Sequence, residues 1–275
     1  MRSGFGARVE AASQAYGPVC VGIDPHAELL ERWGLEDSID GLERFAATCV
    51  EAFAGQVGFV KPQSAFFERF GARGVAVLER TIADLRHTGS LVILDVKRGD
   101  IGSTAAAYAT AYLDEDSPMA VDAITVSPYL GFGTLAPFFA AAELNDAGVF
   151  VLALTSNPEA PQVQHARTDT GRTVAGSILA QLKAANEGLE PMGPLGAVVG
   201  ATIGETDEEL DIGGPLLIPG FGAQGGGTGD LDRLFGRLPS ERLLVSTSRG
   251  VLSAGPDAAA LRSAALELND QLRHR

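Results

Sequence analysis

The sequence has few cysteines, more acidic than basic residues and no long apolar run. Cys20 and Cys49 have no metal-binding or redox spacing and cannot form a disulfide framework. The 21 basic and 35 acidic residues give a net charge of -14, which argues against a surface built for nucleic acid or an anionic membrane. No apolar stretch approaches the roughly 20 residues of a spanning helix, and the N-terminus lacks a signal peptide's apolar run. We therefore expect a cytoplasmic protein that binds neither nucleic acid nor membrane.

Short apolar runs, rich in Val, Ile and Leu, recur along the whole chain. Each is too short for a surface helix, and its continuous apolar character is typical of a strand buried on both faces of a parallel sheet. The eight runs are VCVGID (19–24), GFVKPQ (58–63), LVILDVK (91–97), AITVSP (123–128), VFVLALT (149–155), GAVVGA (196–201), LLIPG (216–220) and LLVSTSR (243–249).

The segments between these runs have helical periodicity. Val75, Leu78, Ile82 and Leu85 form one apolar stripe, and a similar stripe runs from 261 to 272. Strands that alternate with helices predict an α/β fold, a (β/α)8 TIM barrel that forms a single domain over residues 1–275, with a short N-terminal helix around 5–15. An open doubly wound sheet is the alternative. It is disfavoured because eight units fit the length and no glycine fingerprint follows the first strand.

Polar residues lie at the C-terminal ends of the predicted strands, where barrel enzymes place their active sites. Asp95 and Lys97 are two residues apart on one strand, so their side chains share one face, and Asp100 follows in the next loop. An ordinary ion pair at a strand end could explain the first two. Lys61 favours a functional interpretation, because it is another strand-end lysine in a chain with few lysines and would make an alternating charge network.

The segment DVKRGDIGSTAAAYA (95–109) resembles the Asp-x-Lys-x-x-Asp-Ile signature of the orotidine 5′-phosphate decarboxylase family. The resemblance extends over nearly the whole chain and is greatest to the longer bacterial subgroup, type 2. The other matching blocks, in order, are VGIDPH (21–26), VKPQSAFFE (60–68), ITVSPYLGFG (124–133), LTSNPE (154–159), VVGAT (198–202), IPGFGAQGG (218–226) and TSRG (247–250).

The resemblance implies decarboxylation of orotidine 5′-phosphate to UMP, the last step of de novo pyrimidine nucleotide biosynthesis, without a metal or other cofactor. It also implies a homodimer with shared active sites. The Asp95–Lys97 pair would lie against the departing carboxylate, and Lys97 would protonate C6. Lys61 and Asp100 would together hold the pair in register, and Asp100 would reach into the neighbouring subunit's site.

The remaining roles that the resemblance implies concern substrate binding. Ribose would be bound by Asp24 and Lys61 and, across the dimer interface, by Thr104 next to Ile101. Ser156 would hydrogen-bond the pyrimidine. The phosphate would be held by Gln224 and Arg249, aided by backbone N–H groups in the glycine-rich stretch that includes Gly225, and Pro219 would be a further substrate-binding residue.

Two other functions are open to such a barrel. A magnesium-dependent lyase or synthase acting on sugar phosphates has a similar motif, but the sequence lacks the extra acidic ligands expected near a divalent ion. A non-catalytic nucleotide-binding barrel would need a broken catalytic network, whereas every member is present. The polar segment 156–172 is either a lid over the base or a plain surface loop.

Overall fold

Eight parallel strands form a closed barrel in which each strand pairs with the next and the first pairs with the last. The structure is a computed structural model and describes residues 4–86, 88–222 and 225–273. All eight predicted strands are present, which confirms the predicted barrel. They are β1 Val19–Ile23, β2 Phe59–Pro62, β3 Leu91–Arg98, β4 Ala123–Val126, β5 Gly148–Leu154, β6 Leu195–Val199, β7 Leu216–Pro219 and β8 Leu243–Thr247.

Helices surround the barrel, and all of them except α8 contain buried residues. Leu78, Ile82 and Leu85 are buried, as the helical spacing predicts. The helices are α1 Phe5–Tyr16, α2 Ala27–Arg32, α3 Ile39–Phe53, α4 Ser64–Glu68, α5 Gly71–Arg86, α6 Gly102–Leu113, α7 Ala136–Leu144, α8 Pro161–Gln164, α9 Val174–Asn186, α10 Thr228–Phe235, α11 Arg249–Leu252 and α12 Ala258–Arg273, with 3₁₀ turns at Phe132–Leu135 and Ser240–Arg242.

One connection departs from the alternation of strands and helices. Residues 200–215, between β6 and β7, contain no helix. This segment has the sequence GATIGETDEELDIGGP, in which four glycines and a proline interrupt any apolar stripe of helical spacing.

Helix α1 covers the N-terminal end of the barrel. Phe5 and Val9 are fully buried in the cluster of barrel-interior side chains that includes Phe150. The Phe5 and Phe150 rings meet edge to face at 6.1 Å. Gly148 is required here, because a Cβ at this position would lie 2.2 Å from the Phe5 ring. Arg8 fixes the helix further by an ion pair with buried Asp122.

The two cysteines lie in the apolar interior. Both are fully buried and form no disulfide. Burial raises the pKa of the Cys20 thiol to about 12 and also raises that of Cys49. Both side chains are therefore thiols at neutral pH and act as small apolar residues in the core.

We predict that Phe5→Ala lowers the free energy of unfolding by about 3–5 kcal/mol, because it opens a cavity where α1 seals the barrel. Urea unfolding followed by circular dichroism measures the change. Leu144→Ala is the matched control, because Leu144 is 83% exposed and its truncation should have an effect of less than about 0.5 kcal/mol. Equal unfolding midpoints for Phe5→Ala and the wild type would contradict the sealing role of α1.

Candidate active site

The C-terminal ends of the strands surround a cavity of about 620 Å³. A cavity of this size is in the range that binds small organic ligands. Polar side chains from the strand ends line it together with the apolar Leu152, Val198 and Leu217. The predicted site residues that line the cavity are Asp24, Lys61, Asp95, Lys97, Ser156, Pro219 and Arg249.

Asp95 lies between two lysines. Its Oδ2 is 3.1 Å from Lys61 Nζ, and its Oδ1 is 2.6 Å from Lys97 Nζ. The Thr125 hydroxyl also donates a hydrogen bond to Oδ1, at 2.8 Å. The chain contains only three lysines, and two of them meet at this carboxylate. The arrangement is an alternating network of the kind that holds each member in its charged form.

Burial opposes ionisation of both Asp95 and Lys61, and their mutual attraction overcomes it. Burial by itself raises the pKa of Asp95, but the charges of Lys61 and Lys97 and the hydrogen bonds from Lys97 and Thr125 bring that pKa well below its ordinary value. Burial likewise lowers the pKa of Lys61, and the Asp95 and Asp24 carboxylates more than compensate, so this pKa lies above its ordinary value. Asp95 is therefore a carboxylate and Lys61 an ammonium at neutral pH.

Two buried oxygens of the cavity wall have no hydrogen-bond partner among the described residues. They are Asp24 Oδ1, after β1, and Ser248 Oγ, after β8. Gly22 lies between them, since a Cβ there would be 2.8 Å from Ser248 Cβ and 3.3 Å from Asp24 Oδ2. Buried polar atoms are usually hydrogen-bonded, so this part of the wall is suited to a ligand with hydroxyl groups.

Arg249 stands at the mouth of the cavity, one residue beyond Ser248. The guanidinium is exposed and forms no ion pair within the part of the chain that the structure describes. A free guanidinium at the end of β8 can make a bidentate contact with an anion, and barrels commonly bind phosphate near the ends of strands seven and eight.

Four predicted site residues do not line the cavity in this chain. Asp100 Oδ1 accepts a hydrogen bond from the backbone of Ile101, at 2.7 Å. Ile101 is 60% exposed, and Thr104 is exposed on α6. Gly225 lies in the turn after β7, outside the cavity lining. The remaining prediction, Gln224, falls outside the described residues.

Several residues of the cavity were not among the predicted site residues. Gln63 follows Lys61 by two positions, and Thr247 precedes Arg249 by two, so the alternation of strand faces could have indicated both. Thr125 gave no signal, because the sequence does not show which strand residue lies opposite Asp95. His26 lines the cavity at its mouth and contacts Phe66 with the two rings tilted, their centroids 4.1 Å apart.

Most of the segment 156–172 is exposed and stands outside the cavity. It contains the single-turn helix α8 and an antiparallel bridge between Arg167 and Thr173. Gln164 ties it to β5 through its Oε1, which accepts from the Thr155 backbone at 2.9 Å. Only its first two residues, Ser156 and Asn157, line the cavity.

A larger groove of about 1220 Å³ lies beside α9, away from the barrel mouth. Two ion pairs lie along it: Lys183 with Glu209, at 3.8 Å, and Arg242 with Asp211, at 2.8 Å. It lacks the buried, alternating charges of the central cavity. The smaller cavity is therefore the better candidate for catalysis.

Comparison with known proteins decides the family. A sequence model described as the Orotidine 5′-phosphate decarboxylase / HUMPS family matches residues 17–264. The chain belongs to this family. The orotidine 5′-phosphate decarboxylase of Salinispora tropica is 62% identical over 263 residues, which are 95% of this chain and 94% of that protein. The enzyme of the same name from a Nocardioides species is 59% identical over 272 residues, 98% of each chain.

A solved structure supports the same membership of the Orotidine 5′-phosphate decarboxylase / HUMPS family. It is a crystal structure from Streptomyces avermitilis, described as that of an orotidine 5′-phosphate decarboxylase. It superposes with a TM-score of 0.96 at 56% identity, covering 99% of this chain and 96% of that chain.

Within residues 4–86, 88–222 and 225–273, no three His, Cys, Asp or Glu side chains are grouped so as to hold a metal ion. In the same described ranges, no helix has the length and apolar character needed to cross a membrane.

We predict that Asp95→Asn lowers the free energy of unfolding by about 3–5 kcal/mol at neutral pH, because it leaves the buried Lys61 ammonium without its main partner. The pKa of Asp95 is lower in the folded than in the unfolded protein. The ionised carboxylate therefore contributes its full stabilisation of the fold above the unfolded pKa of about 3.9. This stabilisation is lost as the pH falls towards the pKa of the folded state. The difference between wild type and variant should therefore narrow below about pH 4.

Urea unfolding at pH 7 and at lower pH measures both effects. Asp37→Asn is the matched control, because Asp37 pairs with Arg69 at the surface, where such pairs contribute only about 0–1 kcal/mol. A loss in Asp95→Asn no larger than that in Asp37→Asn would show that the buried network does not stabilise the fold.

Proposed function

We propose that this chain decarboxylates orotidine 5′-phosphate and releases UMP, the last step of de novo pyrimidine nucleotide biosynthesis. The observation that supports it most is the Lys61–Asp95–Lys97 network in the cavity, in which Lys61 and Asp95 are buried. The relatives that share nearly its full length carry the name of this enzyme.

The reaction makes an unusual electrostatic demand. Loss of carbon dioxide from C6 leaves a carbanion with little delocalisation into the pyrimidine ring, and the largest enzymatic accelerations correspond to about 23 kcal/mol of barrier reduction. Preorganised charge can supply much of such an effect. The Lys97 ammonium stabilises the negative charge that develops at C6 and then protonates this carbon. Asp95 holds the ammonium in place and lies against the departing carboxylate.

Groups of the cavity wall bind the rest of the nucleotide. Asp24, whose Oδ1 has no partner among the described residues, and Lys61 bind ribose hydroxyls, and Ser156 hydrogen-bonds the pyrimidine. Arg249 grips the phosphate together with Gln224 and backbone N–H groups of the glycine-rich stretch that includes Gly225, and Pro219 is a further substrate-binding residue. Because the phosphate lies far from C6, its binding energy can be used to assemble the site in the transition state.

Asp100, Ile101 and Thr104 complete the cavity of a second copy of the chain. None of the three lines the cavity of its own chain, and Ile101 is 60% exposed. On the neighbouring loop, Tyr129 is 78% and Leu130 is 52% exposed. Exposed apolar side chains grouped in this way are typical of an interface. The functional unit in this proposal is a homodimer with shared sites.

The proposed location is the cytoplasm. Two buried free thiols suit a reducing compartment.

We predict that the purified protein converts orotidine 5′-phosphate to UMP in the presence of EDTA, and that Lys97→Ala lowers kcat by about 10³-fold or more, since a general acid is lost. The fall in ultraviolet absorbance of the substrate measures turnover. Lys183→Ala is the matched control, because Lys183 is an exposed lysine of the outer groove. Turnover that requires added magnesium would favour a metal-dependent sugar-phosphate enzyme, and tight UMP binding without turnover would favour a non-catalytic barrel.

We predict that two inactive variants restore activity when they are combined. Asp100→Ala and Lys97→Ala subunits, unfolded together and refolded, should form mixed dimers in which one site lacks both groups and the other has both intact. Random pairing gives about a quarter of all sites the intact form, and this fraction of wild-type turnover is expected. Each variant refolded alone is the control. A mixture as inactive as its components would show that Asp100 acts within its own chain.

A further inference from the structure

The Thr125 hydroxyl group connects the backbone of Lys97 to its side-chain ammonium by way of the Asp95 carboxylate. Its Oγ1 accepts a hydrogen bond from the Lys97 backbone N–H at 3.0 Å, and donates one to Asp95 Oδ1 at 2.8 Å. Lys97 Nζ donates to the same Oδ1 at 2.6 Å. The hydrogen bonds and the Lys97 side chain therefore form a closed ring that contains the proposed proton donor.

The backbone of Lys97 is strained where this ring closes. Its φ is 44°, in the left-handed region that lysine rarely adopts, at a cost of about 1–3 kcal/mol. The ladder between β3 and β4 shifts register between Leu94 and Arg98, so Lys97 lies in an irregular stretch of the strand. Its N–H bonds to the Thr125 hydroxyl, which therefore stabilises a conformation that the chain would otherwise avoid.

Packing alone does not account for a threonine at this position. Thr125 is 1% exposed, and other strand residues that line the cavity, such as Val198 and Leu217, are apolar. Valine would occupy nearly the same volume without a polar atom to satisfy. A buried hydroxyl carries a desolvation cost unless it is hydrogen-bonded. The two hydrogen bonds are therefore the property that distinguishes threonine from valine here.

We propose that Thr125 is a positioning residue for the decarboxylation, an inference that rests on the proposed function. The Lys97 side chain is long and 47% exposed, so it has many alternative rotamers. By tying the Lys97 backbone to the Asp95 carboxylate, Thr125 restricts the ammonium to the place where C6 becomes negative. Small displacements of a reacting group lower the rate strongly. Thr125 acts through Lys97 and Asp95.

The test compares Thr125→Val with Thr125→Ser. Valine removes the hydroxyl and keeps the volume, so kcat should fall by about 10- to 100-fold. The KM for orotidine 5′-phosphate and the affinity for UMP should stay close to wild type, because neither ribose nor phosphate contacts change. Serine keeps the hydroxyl, so its kcat should stay within a few-fold of wild type. Circular dichroism melting checks that each variant is folded.

Three results would overturn the inference: an undiminished kcat in Thr125→Val, an equal loss in Thr125→Ser, or a loss of UMP affinity that matches the loss of kcat. If the valine variant does not fold, Thr125→Ala against Thr125→Ser makes the same comparison of a site with and without the hydroxyl. Failure of the proposed function is distinguishable, because the wild type itself would then not turn over orotidine 5′-phosphate.

Discussion

A carboxylate buried between two ammonium groups is stable only while all three charges stay in place. Asp95 has this position, and moving either Lys61 or Lys97 away would remove one of the two positive charges that compensate its buried carboxylate. The three residues come from two adjacent strands, so the register of β2 and β3 fixes their spacing. The hydrogen bonds between the barrel strands thus keep the three charged groups together. The charge network in turn depends on a rigid arrangement of these strands.

The barrel separates the parts that stabilise it from the parts that carry chemistry. At its N-terminal end, Phe5 and Val9 of α1 fill the interior. At its C-terminal end, the interior becomes polar and open, and unsatisfied atoms such as Asp24 Oδ1 are tolerated. A site that contains buried charge and unpartnered oxygens reduces stability locally, and the apolar packing at the other end offsets this.

The fold could be predicted from the sequence because parallel barrel strands are buried on both faces, and this leaves short continuous apolar runs that are easily recognised. The pairing of Asp95 with Lys97 followed from the two-residue period of a strand. Thr125 could not be found in this way, because its partner lies on another strand whose register shifts at that point. The left-handed backbone conformation of Lys97 could not be predicted either, because lysine, unlike glycine, has no preference for a positive φ.

The unequal exposure of the two lysines has a consequence for repeated turnover. The Lys97 side chain is 47% exposed, whereas that of Lys61 is 7% exposed. A lysine that gives its proton to a carbon atom in every cycle must be recharged from water before the next substrate binds. Only the lysine near the mouth has ready access to water for that recharging, while the enclosed one can serve as a permanent positive charge. In the proposed mechanism, the difference in exposure would therefore give two chemically identical side chains different roles.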